Sequence, residues 1–554
     1  VIARGLIVLG LCLSLLAPSV RAEQRDTLVI GMTQFPSTFH PLIDSMLAKT
    51  YVLAMTRRPV GVYDANWEKI CLVCVELPTL ENGLAAIEEL PDGGTGIALT
   101  ITLHPDATWG DGTPVTTDDL TFTWEVGRHP QSGVSNLEAW RRILSIDAVD
   151  DKTATILVDR VTFDYNSFAG LELLPAHIEA ARFAEPIEYR NRTAYDTDTT
   201  NPGLYFGPYR IVAVEPGADV VLEPNPTWFG KAPHFKRIVV RIVENTAALE
   251  ANLLSGAVDY VAGELGLSLD QALAFQARHG DDYEILYKAG LIYEHIDLML
   301  DNPVLADRRV RQALMYGVDR QAISEQLFAG KQPVAHSNVS PLDWIYTEDI
   351  PLYDYDPDRA NALLEEAGWR PGPGGVRVND AGERLQIELM TTAGNRLREL
   401  VQQVVQGQLK QVGVEIRIRN EPARVYFGET VTKRNFTGMA MFAWLSAPES
   451  VPLTTLRSDQ IPTAENNWAG QNYTGYQNPR MDALIDAIEI ELDRAERELL
   501  WHELQALYAT DLPALPLYFR ASPYILPKWL KGIVPTGHQY PTTYWVEHWY
   551  AESD

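Results

Sequence analysis

LQIELMTTAGNRLRELVQQVVQGQLKQVGVEIRI, residues 385–418, sets two short apolar runs on either side of a long helix-like segment. Leu385 to Met390 and Val414 to Ile418 are short, mostly apolar runs of strand length. Between them, Arg396 to Val412 has the length of a helix, and Gly413 closes it as a C-cap glycine does. Strand, helix and strand in succession point to a mixed α/β sheet with helices on its faces.

The same alternation extends in both directions. Downstream, Met439 to Trp444 reads as a further strand. Upstream, helices are expected at Asp307 to Tyr316, Arg320 to Leu327 and Pro357 to Ala367, the last ended by Gly368. In the first half, strands are expected at Thr27 to Met32, Ile97 to Leu103, Thr153 to Val158, Tyr209 to Val214, Asp219 to Glu223 and Arg237 to Val243. Thr116-Thr117-Asp118-Asp119 caps a helix through Phe122 and Val126, and a helix from Thr246 to Leu254 stops at Gly256. There is no internal repeat and no disordered linker, so the domains are expected to be joined by crossing strands.

With 554 residues the chain is too long for one core and is read as two or three domains. Its 46% hydrophobic and 22% charged residues are those of an ordinary globular protein. The formal net charge of -28 argues against nucleic acid, whose phosphates need clustered Lys and Arg, and against anionic lipid surfaces. Arg4, the apolar run Leu6 to Leu16, Pro18 and Val20-Arg21-Ala22 read as a secretory signal peptide over residues 1–22, with cleavage expected after Ala22. Of the three cysteines, Cys12 falls inside that signal, and Cys71 and Cys74 remain as a C-x-x-C pair. One such pair cannot complete a zinc site, and in an oxidising compartment a local disulfide is expected.

Several segments resemble one family. Trp109-Gly110-Asp111-Gly112-Thr113-Pro114-Val115-Thr116 with Asp118-Asp119 is similar to the W-x-DG-x-P-[VF]-T-A-x-D signature of extracellular solute-binding proteins of the oligopeptide and dipeptide class. Gly207-Pro208-Tyr209 with Asn225 and Trp228-Phe229-Gly230, Ser255-Gly256 with Val258-Asp259, Asp307 through Leu314 with Val318-Asp319-Arg320, and Tyr355-Asp356-Pro357 through Ala367-Gly368-Trp369 follow in that family's order. The turn and cap residues in these segments are read as structural, as are Arg308, Arg309 and Arg311.

The resemblance implies a two-lobed periplasmic-binding-protein fold with a mixed sheet in each lobe and an extra small domain in the N-terminal half. Residues 23–63, 201–300 and 516–554 fall to the first lobe, 64–200 to the extra subdomain and 301–515 to the second lobe. It also implies a periplasmic, monomeric component of an ABC importer. Such a component captures a peptide or peptide-like molecule between its lobes and hands it to a permease in the inner membrane, without enzymatic activity, cofactor, metal or nucleic acid.

Ligands of open α/β sheets sit outside strand ends. That selects Gln34 and Phe35, beside Thr33 and Phe39, after the first strand, and Trp444, Leu445, Ser446 and Glu449 at the end of the Met439 to Trp444 strand. Asn467-Trp468 and Asn472-Tyr473 resemble a pocket-side stretch of the family. Trp and Tyr would give apolar walls, while amides and hydroxyls fix orientation. In peptide-binding relatives, the stretch resembling Trp444-Leu445-Ser446-Ala447 ends in an aspartate that pairs with the peptide's α-ammonium, and here Ala447 stands in its place. Glu449 would have to swing in to replace it. Thr391 and Thr392 stand where some dipeptide binders carry an arginine for the ligand carboxylate.

The readings that compete keep the fold and change the ligand to an opine, an oligosaccharide, a metal complex or haem, or make the chain a periplasmic hydrolase or chaperone. The motifs G-x-S-x-G, H-E-x-x-H and Walker A are missing from the sequence.

Overall fold

The structure is a computed structural model that describes residues 25–43, 46–135, 137–168, 171–243, 245–263, 265–466 and 468–552. The expected signal peptide with Cys12, and Asn467, lie outside the described residues.

The 385–418 stretch folds as read. Gln386–Met390 and Glu415–Ile418 pair in parallel, joined by the helix Arg396–Gln411, and Gly413 takes a positive φ of 83° at the helix end. Asn395 caps that helix by accepting from the Arg398 N–H. Met439–Leu445 joins in parallel on the other side of Gln386–Met390. In the first half, Thr27–Met32 pairs in parallel with Arg237–Ile242 and with Tyr260–Val261. Asp219–Pro224 and Tyr209–Glu215 extend the sheet antiparallel to its edge.

Two long strands join these halves. Tyr283–Leu298 and Ala514–Pro527 pair antiparallel along most of their length, so that the described residues form one ten-stranded sheet. The lobes therefore share a sheet, where the family resemblance implied one sheet for each. Their cores are separate. Leu28, Ile30 and Val240 belong to the first, and Ile296, Leu298, Ile387 and Leu389 to the second. Between the Ala289–Ala521 and Tyr293–Phe519 pairs the register breaks, and residues 290–292 face only Arg520. Gly290 is required there, because a Cβ would collide with the Gly537 carbonyl oxygen.

The extra small sheet is antiparallel, in the order Ala85–Glu89, Thr95–Thr102, Thr153–Val158 and Ile143–Ala148. Its Ile97, Leu99 and Ile156 are buried in the same core as Leu28 and Ile30, so it is packed into the first lobe. The tryptophan motif staples this region. Trp109 is fully buried and its Nε1 donates to Asp119 Oδ2 at 3.1 Å, while the same carboxylate accepts from the Thr116 and Ala176 N–H groups at 2.9 Å. Thr116 and Asp119 form a capping box at the start of Thr117–Arg128. Cys71 and Cys74 pair as a disulfide at the end of the Gly61–Tyr63/Lys69–Cys71 hairpin.

Candidate functional site

Strand direction builds the site. Tyr260–Val261 runs antiparallel to Ala514–Pro527, and Met439–Leu445 runs antiparallel to Tyr283–Leu298. The carboxyl ends of the parallel strands in both lobes therefore aim at the crossing, the place where open α/β sheets bind ligands. From the second lobe this edge carries Thr391, Thr392 and Trp444 to Ser446. From the first it carries Thr33 to Phe35.

The second lobe holds a cavity of about 160 Å³ at this edge, walled by Tyr293, His295, Trp444 and Tyr508, with Asp297, Ser446 and Asn338 among its polar groups. Trp444 lies nearly parallel to His295 (ring centroids 6.4 Å apart, 16°) and to Tyr473 (5.8 Å, 29°), and Phe442 meets it edge-on at 5.3 Å. His295 stacks in turn on Tyr293 at 4.9 Å, and its Nε2 lies 3.2 Å from Asp297 Oδ1. These rings form a rigid aromatic wall with a polar pair at its base, suited to holding a flat or apolar group and orienting a polar one. Among the described residues, no group of three or more His, Cys, Asp or Glu side chains is arranged to hold a metal ion, and no helix is long and apolar enough to cross a membrane.

Residues 79–460 match the bacterial extracellular solute-binding proteins, family 5 Middle. The chain belongs to this family. As a family 5 solute-binding protein it is a transport component and not an enzyme. The oligopeptide-binding protein AppA of Bacillus subtilis (strain 168) is 25% identical over 539 residues, 96% of this chain and 92% of AppA. The oligopeptide-binding protein of Thermus thermophilus, solved with a pentapeptide, superposes with a TM-score of 0.70 at 29% identity, covering 95% of this chain and 96% of that one. NikZ of Campylobacter jejuni, solved with Ni(L-His), shares the fold at 21% identity with a TM-score of 0.71, over 95% and 99% of the two chains.

In this family 5 protein, the residues singled out in the sequence fall into three groups. Trp444, Ser446 and Tyr473 come together at the aromatic wall, with the Ser446 hydroxyl donating to the Leu291 carbonyl at 3.3 Å. Gln34 is exposed at the facing edge, and Phe35 packs edge-on against Phe39 at 6.1 Å. Thr391, Thr392, Asn472, Trp468 and Glu449 are instead engaged by their own chain. The Thr391 hydroxyl donates to the Met441 carbonyl at 2.8 Å, and Thr392 Oγ1 accepts from Arg398 at 3.2 Å. Asn472 donates to the Arg457 and Tyr476 carbonyls and accepts from Thr474 and the Tyr476 N–H. Trp468 is half-buried, in a left-handed conformation, and its N–H donates to the Thr463 carbonyl at 2.8 Å.

Glu449 is buried and paired with Arg497, whose guanidinium also lies 4.9 Å over the Phe163 ring. Phe163 follows the last strand of the small sheet, and its N–H donates to the Glu489 carbonyl of the second lobe at 3.0 Å. Arg494 pairs with Glu68 at 3.2 Å beside this contact. Glu449 thus serves the junction of the second lobe with the small sheet, and Ala447, two residues before it, carries no carboxylate. The residues missed in the sequence are Tyr293, His295 and Asp297. Their signal was an every-second-residue pattern in YEHID, residues 293–297, which places them on one face of a strand.

Asp343 supports the same junction. Its Oδ2 accepts from the Glu449 N–H at 2.8 Å. Burial pushes its carboxyl up to about 6, and the neighbouring Glu449 charge adds to the rise, against the pull of backbone N–H groups from Glu449, Ile345 and Trp344. The folded chain therefore binds this proton more tightly than the unfolded chain does. The group's contribution to stability grows as pH falls through about 6 and levels off below the usual carboxylate range. Asp343→Asn keeps an oxygen for the Glu449 N–H and carries no charge. It is expected to be more stable than the parent at pH 8 by roughly 1 to 3 kcal/mol, at about 1.4 kcal/mol per tenfold change in proton affinity, with the gain gone near pH 4. Urea unfolding of both proteins at the two pH values checks this, and an equal difference at both would contradict it.

Proposed function

We propose that the chain captures a peptide or peptide-like small molecule in the cleft between its lobes and delivers it to an ABC permease in the inner membrane. The observation that carries the reading is the aromatic cavity at the strand ends, set where two continuous strands cross between lobes with a break in their pairing. A break of this kind lets the halves rotate without unpairing the sheet. The relatives named as oligopeptide-binding match almost the whole chain, and one of them was solved with a pentapeptide. In this reading residues 301–515 close as one body on residues 23–63, 201–300 and 516–554, with residues 64–200 as the added subdomain, and Trp444, Ser446 and Tyr473 touch the ligand.

A second reading, capture of a non-peptide molecule on the same fold, is favoured by one observation. Ala447 offers no carboxylate and Glu449 is already paired with Arg497, so the acidic group lining the cavity is Asp297, which a free α-ammonium would have to share with His295. Calorimetry with di- to pentapeptides, each with a free and an acetylated N-terminus, tests both. Micromolar binding that survives acetylation is the expected result. Absence of binding across the panel, with a non-peptide molecule found by native mass spectrometry on protein purified from its host, would establish the second reading.

A further inference from the structure

The carboxylate of the aromatic cavity is short of donors. Asp297 lines the cavity from the same strand face as Tyr293 and His295, and its side chain is 8% exposed. Elsewhere the buried carboxylates are neutralised by the chain, Glu294 and Glu449 by arginines, while Asp343 accepts from backbone. Among the described residues, no Lys or Arg lines this cavity, and the ionic neighbour of Asp297 is His295, whose Nε2 is 3.2 Å from Oδ1.

His295 cannot satisfy it alone. Nδ1 of the ring lies 3.3 Å from the Tyr293 carbonyl, and a neutral imidazole has one N–H to give. On Nδ1 that proton serves the carbonyl and leaves Nε2 and the carboxylate as two acceptors face to face. On Nε2 it serves Oδ1 and leaves the second carboxylate oxygen. The nearby hydroxyls are spent, since Ser446, Thr454 and Thr474 donate to Leu291, Gln471 and Asn472. A buried carboxylate without a counter-ion is costly, so the cavity is built to receive a cation from outside the chain.

Size and walls say which kind. At about 160 Å³ the cavity is smaller than pockets that enclose a whole ligand, roughly 300 Å³ and above, and suits a single side chain. Tyr293, Trp444 and Tyr508 give it aromatic sides. An alkyl stem packs along such rings while the ammonium at its tip meets a carboxylate or a ring face.

We propose that this cavity is a specificity pocket for an ammonium carried on an alkyl stem, with Asp297 as its counter-ion and Tyr293 and Trp444 as walls. The inference rests on the capture reading for the cavity being a ligand site, but not for the ligand being a peptide. A lysine side chain and a free diamine share this chemistry. An α-ammonium lacks the stem, in keeping with binding that survives N-terminal acetylation.

The test uses pentapeptides acetylated at one end and amidated at the other, with lysine or its uncharged counterpart norleucine at each position in turn. Calorimetry at pH 8, where a lysine is charged and an ordinary imidazole neutral, compares the parent, Asp297→Asn and Asp297→Glu. At one position or more, the parent should prefer lysine by about tenfold, the factor expected for one charge-assisted hydrogen bond. Asp297→Asn should bind the two peptides alike, and Asp297→Glu should keep part of the preference. A ratio between two ligands on one protein does not move if the substitution merely loosens the fold.

If peptides bind the parent but lysine gains nothing at any position, the pocket is overturned while capture of peptides stands. A lysine preference that Asp297→Asn retains also overturns it. If no peptide binds the parent, the peptide reading fails, and thermal unfolding with cadaverine or sodium chloride at equal ionic strength decides. Stabilisation by cadaverine of the parent and not of Asp297→Asn upholds the pocket, and an equal or absent response removes it.

Discussion

Glu294→Gln is expected to cost about 3–5 kcal/mol of folding stability, the penalty typical of removing one member of a buried ion pair. Glu294 has no exposed surface and is the shared partner of Arg398 and Arg520. Glutamine keeps the shape but leaves the nearly buried Arg398 charge without its counterion. Burial alone would raise the Glu294 carboxyl, yet Arg520 and then Arg398 hold it below the usual glutamate range. Its share of stability is therefore present at neutral pH and lost as the pH falls through that lowered value. Urea unfolding at pH 7 checks the loss. Replacing the pair together, by Glu294→Leu with Arg398→Met, should recover a large part of it, because what destabilises is the unpaired charge. A loss below about 1 kcal/mol for Glu294→Gln would show that water compensates the cluster.

Trp444→Ala should weaken ligand binding by about thirtyfold or more, a loss of about 2 kcal/mol or more as for tryptophans at the centre of binding surfaces. Trp444 is the ring against which both His295 and Tyr473 lie nearly parallel, so its removal opens the wall on two sides. Leu445, the next residue, also borders the cavity but is 63% exposed, so Leu445→Ala is expected to weaken binding less than Trp444→Ala. Calorimetry on both variants with the best peptide of the panel measures the difference. Equal affinities for the parent and Trp444→Ala would place the ligand elsewhere.

The fold was legible wherever one face of an element is apolar. Thr27–Met32 and Thr246–Leu254 begin and end where their residues say they should, since burial pattern, caps and glycine stops agree. The strands that join the lobes were not legible. Tyr283–Leu298 contains Glu294, His295 and Asp297, all buried, and buried charge reads as surface until its partners are known. Ala514–Pro527 contains Pro516, Pro523 and Pro527, which argue against a central strand although this one lies mid-sheet. The site divided in the same way. Trp444 and Tyr473 could be found because aromatic residues after a strand suggest a wall by type alone. Glu449 could not be placed, because the arginine that occupies it lies 48 residues away, and Glu294 meets its two arginines across separations of 104 and 226 residues.

In the proposed mode of capture, ligand enters between the lobes and they close on it about the break at residues 290–292 and Arg520. Small-angle X-ray scattering on the unmutated protein, alone and saturated with the tightest-binding peptide of the panel, reads this closure. Closure predicts a smaller radius of gyration in the saturated protein, lost again when the peptide is dialysed out. An unchanged scattering profile at proven saturation would contradict capture by closure.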